Sequence, residues 1–302
     1  SERLERITEL SKEYINDFNI PGIVTIVSRK GKIIYHKAFG SRDVQGEDKL
    51  LKDDLFRIYS MTKPVTAVAI MQLYEQGKFS LNDPVSKFLP EFNNLKVLNE
   101  DGVLEDVSTT MRMHHLLTHT AGFSYGFSDD QVDIQYSNAD LFLSENLEDF
   151  VNRVAKLPLK YQPGTRYHYS IAVDLTGLII ERLSGQSLDK YFTDNIFKPL
   201  GMKDTFFRVP KDKRDRFLTR YRYDQKNKYP VEYPSNKRQA MSDFINVSMF
   251  SGGGGLVSTA MDYMIFAESL RNGGEYNGER ILSAKTIKSV SYTHLRAHET
   301  LL

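Results

Sequence analysis

The chain has no cysteine among its 302 residues. This absence excludes disulfides, thiolate metal sites, iron–sulfur clusters and a cysteine nucleophile. An excess of one charge is also missing, because 40 basic and 39 acidic residues leave a net charge of +1. We therefore expect no nucleic-acid partner, since such a partner needs clustered lysine and arginine. Apolar runs such as Leu175–Ile180 are far too short to cross a bilayer, so we expect no transmembrane segment.

Apolar side chains are present in the proportion that a folded protein needs. Hydrophobic residues make up 40% of the chain and aromatic residues 12%, which is enough for a sizeable core. The length predicts one large domain or two. No basic and apolar signal sequence opens the chain at Ser1. We expect a cytoplasmic protein, with a periplasmic or secreted one as the alternative if a leader precedes Ser1.

The segment 290–302 reads unlike the rest of the chain. Its residues Val290–Thr300 resemble the translated adapter of a sequencing library. We expect this tail to be non-native and the natural protein to continue past about residue 289. The histidines of the tail, His294 and His298, then carry no functional role.

Local patterns predict an α+β protein. Two runs rich in β-branched residues, Ile23–Ser28 and Lys32–Phe39, predict a β-hairpin. Residues 208–245 lack clean periodicity and are predicted as a long excursion. Apolar spacing and stop residues predict helices over 4–18, 62–76, 113–117, 147–157, 172–183 and 188–196, and after the cap at Thr259. A hairpin followed mostly by helices indicates a sheet with one helical lobe.

A serine and a lysine three residues apart mark the start of the predicted helix at residue 62. One helical turn places the Ser60 hydroxyl and the Lys63 amine on the same face. The helix N-terminus and a buried setting both disfavour an ammonium, so a neutral Lys63 could accept the serine proton. The same spacing recurs at Ser187 and Lys190, where a helix cap and a surface lysine explain it. The motif alone therefore leaves catalysis open.

Five segments, in order along the chain, match one family. They read Tyr-Ser-Met-Thr-Lys-Pro at 59–64, Gly-Lys-Phe-Ser-Leu-Asn-Asp-Pro-Val at 77–85, His-Leu-Leu-Thr-His-Thr-Ala-Gly at 115–122, Pro-Gly-Thr-Arg-Tyr-His-Tyr-Ser at 163–170 and Gly-Gly-Gly-Leu-Val-Ser-Thr-Ala at 253–260. Together they resemble the serine hydrolases related to class C β-lactamases. The resemblance covers nearly the whole chain to about residue 288, and five ordered matches are far more specific than any one of them.

The resemblance implies a role for three residues. Ser60 would be the acylated nucleophile, Lys63 the proton acceptor beside it, and Tyr169 the phenol that carries the proton to the leaving group. A phenol titrates near pH 10 in water, and a neighbouring ammonium stabilises its phenolate. The pair could therefore act first as base and then as acid. No metal and no organic cofactor is implied.

The resemblance also implies an architecture. We expect an antiparallel sheet flanked by the terminal helices, built from about 1–60 and 246–289, with a helical lobe over about 61–245. The C-terminal strands and the family's third motif, which supplies part of the oxyanion hole, would lie beyond residue 289. A lone hairpin is marginal in water and the unfinished site lacks one donor. We therefore expect the chain as written to be aggregation-prone and inactive.

One departure from the family favours an esterase. Class C β-lactamases carry Tyr-x-Asn where this chain has Tyr169-Ser170-Ile171, so the amide that meets an amide substrate is missing. The sequence therefore predicts a carboxylesterase on small esters, similar to the family VIII enzymes. A β-lactamase or D-amino-acid peptidase, acting on a small amide, is the first alternative. A non-catalytic module that binds penicillin or peptidoglycan is the second. The oligomeric state is not predicted.

Three other patterns suggest chemistry but fail their context tests. Gly122-Phe123-Ser124-Tyr125-Gly126 fits the nucleophile motif of α/β-hydrolases, yet it follows a predicted helix rather than a strand. Gly252–Gly255 is not a phosphate-binding loop, because no Gly-Lys-Ser/Thr follows it. His114, His115 and His119 lack the spacing of a metal site with a carboxylate, and His119 is predicted to hold a loop by hydrogen bonds.

Overall fold

The computed structural model describes residues 2–18, 20–226, 228–233 and 243–289, so the tail predicted at 290–302 lies outside them. Helices in the described residues are α1 (Glu2–Phe18), α2 (Thr62–Glu75), α3 (Met113–Leu117), α4 (Gln131–Asn138), α5 (Leu147–Val154), α6 (Ala172–Ser184), α7 (Leu188–Phe192), α8 (Lys198–Leu200) and α9 (Ala260–Arg271). Strands there are β1 (Gly22–Arg29), β2 (Lys32–Gly40), β3 (Phe56–Arg57), β4 (Lys96–Leu98), β5 (Leu104–Asp106), β6 (Tyr221–Asp224), β7 (Tyr229–Glu232), β8 (Val257–Ser258), β9 (Glu275–Tyr276) and β10 (Glu279–Arg280). Residues 284–289 are also helical.

The predicted hairpin is confirmed. Strands β1 and β2 pair antiparallel from Gly22 opposite Gly40, with a bulge after Val27. Lys30 and Gly31 turn the chain with φ of 52° and 75°, the two positive values that a tight hairpin turn requires. Helix α1 packs on β2 and α9 packs on β1. The C-terminal strands that the sequence predicts beyond residue 289 fall outside the described residues and stay a prediction.

Helices α2 and α6 form the centre of the molecule. Val65 and Ala69 share one face of α2 and Ile70 lies on another, yet all three are fully buried. Leu175 and Ile179 of α6 are equally buried, and the two helices pack against each other. A helix that is apolar on most sides belongs in the interior. Helix α2 is therefore a rigid support for Ser60, which lies in the turn that leads into it.

A short pair of antiparallel strands connects distant parts of the chain next to the start of α2. Strand β3 pairs with β8, so that Phe56 lies opposite Ser258. The pairing continues towards α2, where the Ile58 amide donates to Leu256 O at 3.0 Å and the Leu256 amide donates to Thr62 Oγ1 at 3.1 Å. The glycine-rich loop before β8 is thereby held next to the start of α2.

Three regions differ from the sequence prediction. Helix α5 ends at Val154, shorter than predicted. The helix predicted over 188–196 stops at Phe192 and continues as a π-helical turn, Thr193–Phe197. Within the predicted excursion, β6 and β7 pair as a second hairpin. Alternating tyrosines and charged residues suit a half-exposed strand, but they leave no apolar period to detect.

Arg42 offers a matched test of what burial contributes to stability. Its guanidinium lies 2.6 Å from Asp54, whose side chain is 0% exposed, and 3.1 Å from Asp48, whose side chain is 58% exposed. We expect Asp54→Ala to lower the free energy of unfolding by about 1–3 kcal/mol, because it removes the buried acceptor of Arg42 and of the Leu51 amide. We expect Asp48→Ala to cost less than about 1 kcal/mol. Chemical denaturation of the full-length protein measures both, and equal losses would contradict the argument.

Candidate active site

Ser60 lies in the 3₁₀ turn Tyr59–Met61 that leads into α2, and its side chain is exposed. The residue before it, Tyr59, has a φ of 40°, in the left-handed region that a bulky residue rarely adopts. Its ring packs edge-on against Phe244 at 6.1 Å, and its hydroxyl accepts from Arg220 at 3.3 Å. Such local strain persists only where the surroundings fix it, and it is concentrated at functional sites. The sequence motif gave no sign of this conformation.

The three residues singled out in the sequence come together. Lys63 Nζ donates to Ser60 Oγ at 3.2 Å, and the Tyr169 hydroxyl lies 2.6 Å from the same oxygen. Ser60 and Tyr169 are 109 positions apart in the chain. A hydroxyl with two proton-transfer groups within hydrogen-bond reach is the arrangement that activates a serine nucleophile.

Lys63 has further contacts that fix its amine. Nζ donates to the carbonyl oxygen of Gly253 at 2.7 Å. It also lies 4.6 Å from the centre of the Tyr169 ring and 5.2 Å from that of Tyr125, within the range of cation–π attraction. The amine is thus held between α2, the glycine-rich loop and two aromatic rings.

His119 supports Tyr169, as the sequence predicted when it gave this residue a loop-holding role. Its Nδ1 accepts from the Ser170 amide at 3.2 Å, and its carbonyl accepts from the His168 amide at 2.8 Å. Its ring lies 4.8 Å from that of Tyr169. His119 is buried and has a φ of 54°, so the chain turns sharply there to present these groups.

A buried carboxylate that sequence reasoning missed lies behind the lysine. Asp174, in the first turn of α6, is 0% exposed. It accepts from the Gly253 amide and the Tyr125 hydroxyl, both at 3.0 Å, and from the Ser251 hydroxyl. Burial, with the nearby Asp174 carboxylate, raises the pKa of Tyr125 well above its ordinary value, so Tyr125 keeps its proton and remains a donor. No motif marked Asp174, because its partners come from two other segments.

Ser60 opens into a cleft of about 480 Å³. The rings of Phe127, Tyr125 and Phe142 stand in sequence along it, with centroids 5.1 and 6.3 Å apart and planes 12° and 21° from parallel. Phe127 at the mouth is 79% exposed. The remaining lining is also rich in aromatic and aliphatic residues, with Arg220 and Asp140 as its charged members: Tyr59, Gly126, Tyr136, Ser137, Leu141, Leu143, Tyr169, Tyr233, Gly253 and Gly254. Such a surface suits a small apolar substrate.

A family model described as beta-lactamase matches residues 7–297. The chain belongs to the beta-lactamase family. The α+β fold of the β-lactamase/transpeptidase type, expected from the five segments, is thereby confirmed, and the chain is classed with the serine hydrolases.

Known proteins similar to this beta-lactamase-family chain include hydrolases. An uncharacterized protein of Mycobacterium tuberculosis is 34% identical over 274 residues, which are 89% of this chain and 67% of that protein. Esterase EstB of Burkholderia gladioli is 32% identical over 207 residues, 67% of this chain and about half, 51%, of EstB. Among solved structures, EstCE1, a hydrolase with promiscuous acyltransferase activity, superimposes with a TM-score of 0.79 at 27% identity, covering 94% of this chain and 75% of EstCE1.

The serine of the motif that resembles an α/β-hydrolase nucleophile, Ser124, lies in the interior of the protein. Ser124 is 1% exposed, its hydroxyl donates to Asp133, and its Oγ lies 3.2 Å from His168 Nε2. In a catalytic triad the carboxylate orients the imidazole, whereas here Asp133 binds the serine itself. Ser124 is therefore placed as a structural residue.

The second Ser-x-x-Lys motif, from Ser187 to Lys190, also has a structural explanation. Ser187 stands at the N-cap position of α7, although its side chain makes no capping hydrogen bond within the described helix, and Lys190 pairs with Asp194 on the surface. The predicted cap at Thr259 is confirmed, because its side chain accepts from the Asp262 amide at 3.1 Å.

The three clustered histidines bind backbone groups. Nδ1 of His114 bonds to Leu81 O at 3.0 Å, and Nδ1 of His115 accepts from the Arg112 amide at 3.1 Å. Burial lowers the pKa of His115 to about 4, so this imidazole is neutral near pH 7. In the part of the chain that the structure describes, no three histidine, aspartate or glutamate side chains gather where they could hold a metal ion. Across the same residues, no helix is both long and apolar enough to cross a membrane.

Proposed function

We propose that this protein is a carboxylesterase that acts through an acyl-enzyme on Ser60. The observation that carries the proposal is the pair of contacts at one exposed serine oxygen. Ser60 Oγ has Lys63 Nζ at 3.2 Å and the Tyr169 hydroxyl at 2.6 Å, and it faces the cleft. The sequence relative EstB, named an esterase, supports this activity, and the structural neighbour EstCE1, described as a hydrolase, supports its broader class.

The proton transfers follow from this geometry. As Ser60 Oγ attacks the ester carbonyl, its proton passes to the Lys63–Tyr169 pair. The tetrahedral adduct then collapses, the bond from carbon to the alcohol oxygen breaks, and the pair returns the proton to that oxygen. In the second half, water takes the place of the serine as nucleophile. Its attack releases the acid and restores the Ser60 hydroxyl.

The neighbourhood of Tyr169 favours esters over amides. Ile171 stands where class C β-lactamases have the asparagine amide, and it is fully buried in the helical core. Its apolar side chain offers no hydrogen bond to a substrate amide. Ser170 does not replace it, because its hydroxyl is buried next to His119. An ester with apolar groups leaves no polar atom unpaired at this position, whereas an amide substrate does.

The nucleophile is tested by covalent labelling with a fluorophosphonate, in a protein whose segment 290–302 is replaced by the natural continuation that the sequence predicts. This completed protein is the unaltered protein of the activity tests. We expect Ser60→Ala to abolish labelling and the hydrolysis of an aryl ester, because loss of a serine nucleophile costs several orders of magnitude in rate. Ser124→Ala is the matched control, and it should label as the unaltered protein does. Labelling that persists in Ser60→Ala would refute the assignment.

Parallel assays with a cephalosporin and a D-Ala-D-Ala peptide test the β-lactamase and peptidase alternatives. Absence of labelling in the unaltered protein would favour the non-catalytic alternative.

The proton-transfer roles are tested by variants that keep shape or charge. Tyr169→Phe should slow acylation roughly 10²–10⁴-fold, because it removes the hydroxyl next to Ser60. Lys63→Arg should lose activity as fully as Lys63→Ala, since a guanidinium stays protonated and cannot accept a proton. Stopped-flow acylation by an aryl ester measures each. An active Lys63→Arg protein would show that Lys63 contributes only its charge.

The row of aromatic rings along the cleft, from Phe127, Tyr125 and Phe142, predicts a substrate preference. Phe127→Ala should lower kcat/KM for 2-naphthyl benzoate roughly 3- to 10-fold, because a stacking partner for the substrate ring is removed. The same variant should hydrolyse ethyl acetate within about twofold of the unaltered rate, since this small ester gains little from stacking. Leu104, on β5, is another exposed apolar residue, at 58%, so Leu104→Ala serves as the control. Equal effects on both esters would mean that Phe127 does not contact the substrate.

A further inference from the structure

Asp174 is one of four aspartates buried in the described part of the chain, and there it lacks the ion pair that Asp54 and Asp133 have. Its hydrogen-bond donors among the described residues are neutral groups of Ser251, Gly253 and Tyr125. Burying a carboxylate without a directly paired cation is costly, and its hydrogen bonds offset only part of that cost. A purely structural role could be met by an uncharged side chain at lower cost. Asp262 is also buried with neutral donors, so what sets Asp174 apart is that its donors hold Lys63.

Two of the three donors belong to groups that hold Lys63. Gly253 donates its amide to Asp174 at 3.0 Å and offers its own carbonyl to Lys63 Nζ at 2.7 Å. Tyr125 donates its hydroxyl to Asp174 at 3.0 Å and turns its ring towards the same Nζ at 5.2 Å. One carboxylate thus fixes two of the contacts that place the lysine amine next to Ser60.

The space around Gly253 shows how closely this contact is set. A methyl group added to Gly253 would lie 2.2 Å from Asp174 Oδ2, far inside van der Waals contact. The neighbouring residue is held as well, because the Thr66 hydroxyl on α2 donates to Gly252 O at 2.6 Å. The loop is therefore held against α2 on one side and against α6, through Asp174, on the other.

We propose that Asp174 is a positioning residue that acts on catalysis through Lys63, by fixing Gly253 and Tyr125 at the distances that hold the amine beside Ser60. The inference rests on the proposed function. A misplacement of about 1 Å in a reacting group can cost roughly 10²-fold in rate. A shift of this loop should therefore appear in the acylation step and leave substrate binding unchanged.

The first test compares two buried carboxylates in the full-length protein. Asp174→Asn keeps the shape but removes the charge, and it should slow the acylation of Ser60 by an aryl ester roughly 10- to 100-fold with KM within about twofold. Asp262 is the matched control, because it is also buried and accepts from the Asp204 amide at 2.7 Å and the Thr205 hydroxyl at 2.9 Å. Asp262→Asn should acylate at the unaltered rate below its melting temperature. Unaltered acylation in Asp174→Asn, or a raised KM with unchanged kcat, would overturn the proposal.

A double-mutant cycle separates positioning from general loss of structure. If Asp174 acts through Lys63, adding Asp174→Asn to a Lys63→Ala protein should not slow fluorophosphonate labelling further. Additive effects of the two substitutions would show that Asp174 acts independently of the lysine and would refute the proposal. Labelling of Ser60→Ala is measured alongside, because its persistence would refute the proposed function itself and not the role of Asp174.

A second variant covers the case in which Asp174→Asn does not fold. Gly253→Ala moves the same carbonyl by steric contact and leaves the charge in place. It should slow acylation in the same range and, like Asp174→Asn, have no further effect in a Lys63→Ala protein. A folded Gly253→Ala protein that acylates at the unaltered rate would overturn the proposal, because the position of the loop would then not matter to Lys63.

Discussion

The hydrogen bond from Lys63 Nζ to Gly253 O joins two segments that are 190 positions apart in the chain. One segment is the first turn of α2, which the helical core surrounds. The other is the glycine-rich loop, which the pairing of β3 with β8 helps to place next to the start of α2. If the loop moved away, the amine would lose an acceptor and the arrangement around Ser60 would loosen. The helical core and the pairing of β3 with β8 thus together keep these two segments in contact.

The residues proposed to carry the chemistry could be singled out from the sequence, because each lies in a short, ordered motif. Ser60 and Lys63 are one helical turn apart, and Tyr169 lies in a second motif that the structure brings to within 2.6 Å of the serine oxygen. The hairpin β1–β2 was predictable for the same reason, since its alternation and its turn are local. Features set by neighbours within a few residues are visible in a single sequence.

The supporting residues were not predictable, because their roles depend on contacts between distant segments. Asp174 looks like any acidic residue in the first turn of a helix, yet its partners come from two other segments of the chain. Tyr59 gives no local sign of its left-handed backbone, which is fixed by Phe244 and Arg220. The hairpin β6–β7 was missed because its alternating residues are only partly buried. Tertiary contacts decide each of these cases, and no periodicity in the sequence records them.

Solvent exposure distinguishes Ser60, which a substrate can reach, from Ser124, which only lies in a sequence motif that resembles a nucleophile's. Ser124 has a histidine and a carboxylate within hydrogen-bond reach, the group types of a catalytic triad, but it is 1% exposed and its hydroxyl is committed to Asp133. Ser60 has neither group and relies on an amine and a phenol, yet it is exposed at the wall of the cleft. A nucleophile must reach a carbonyl carbon before any base can assist it. Access therefore decides between the two serines before the chemistry of their neighbours does.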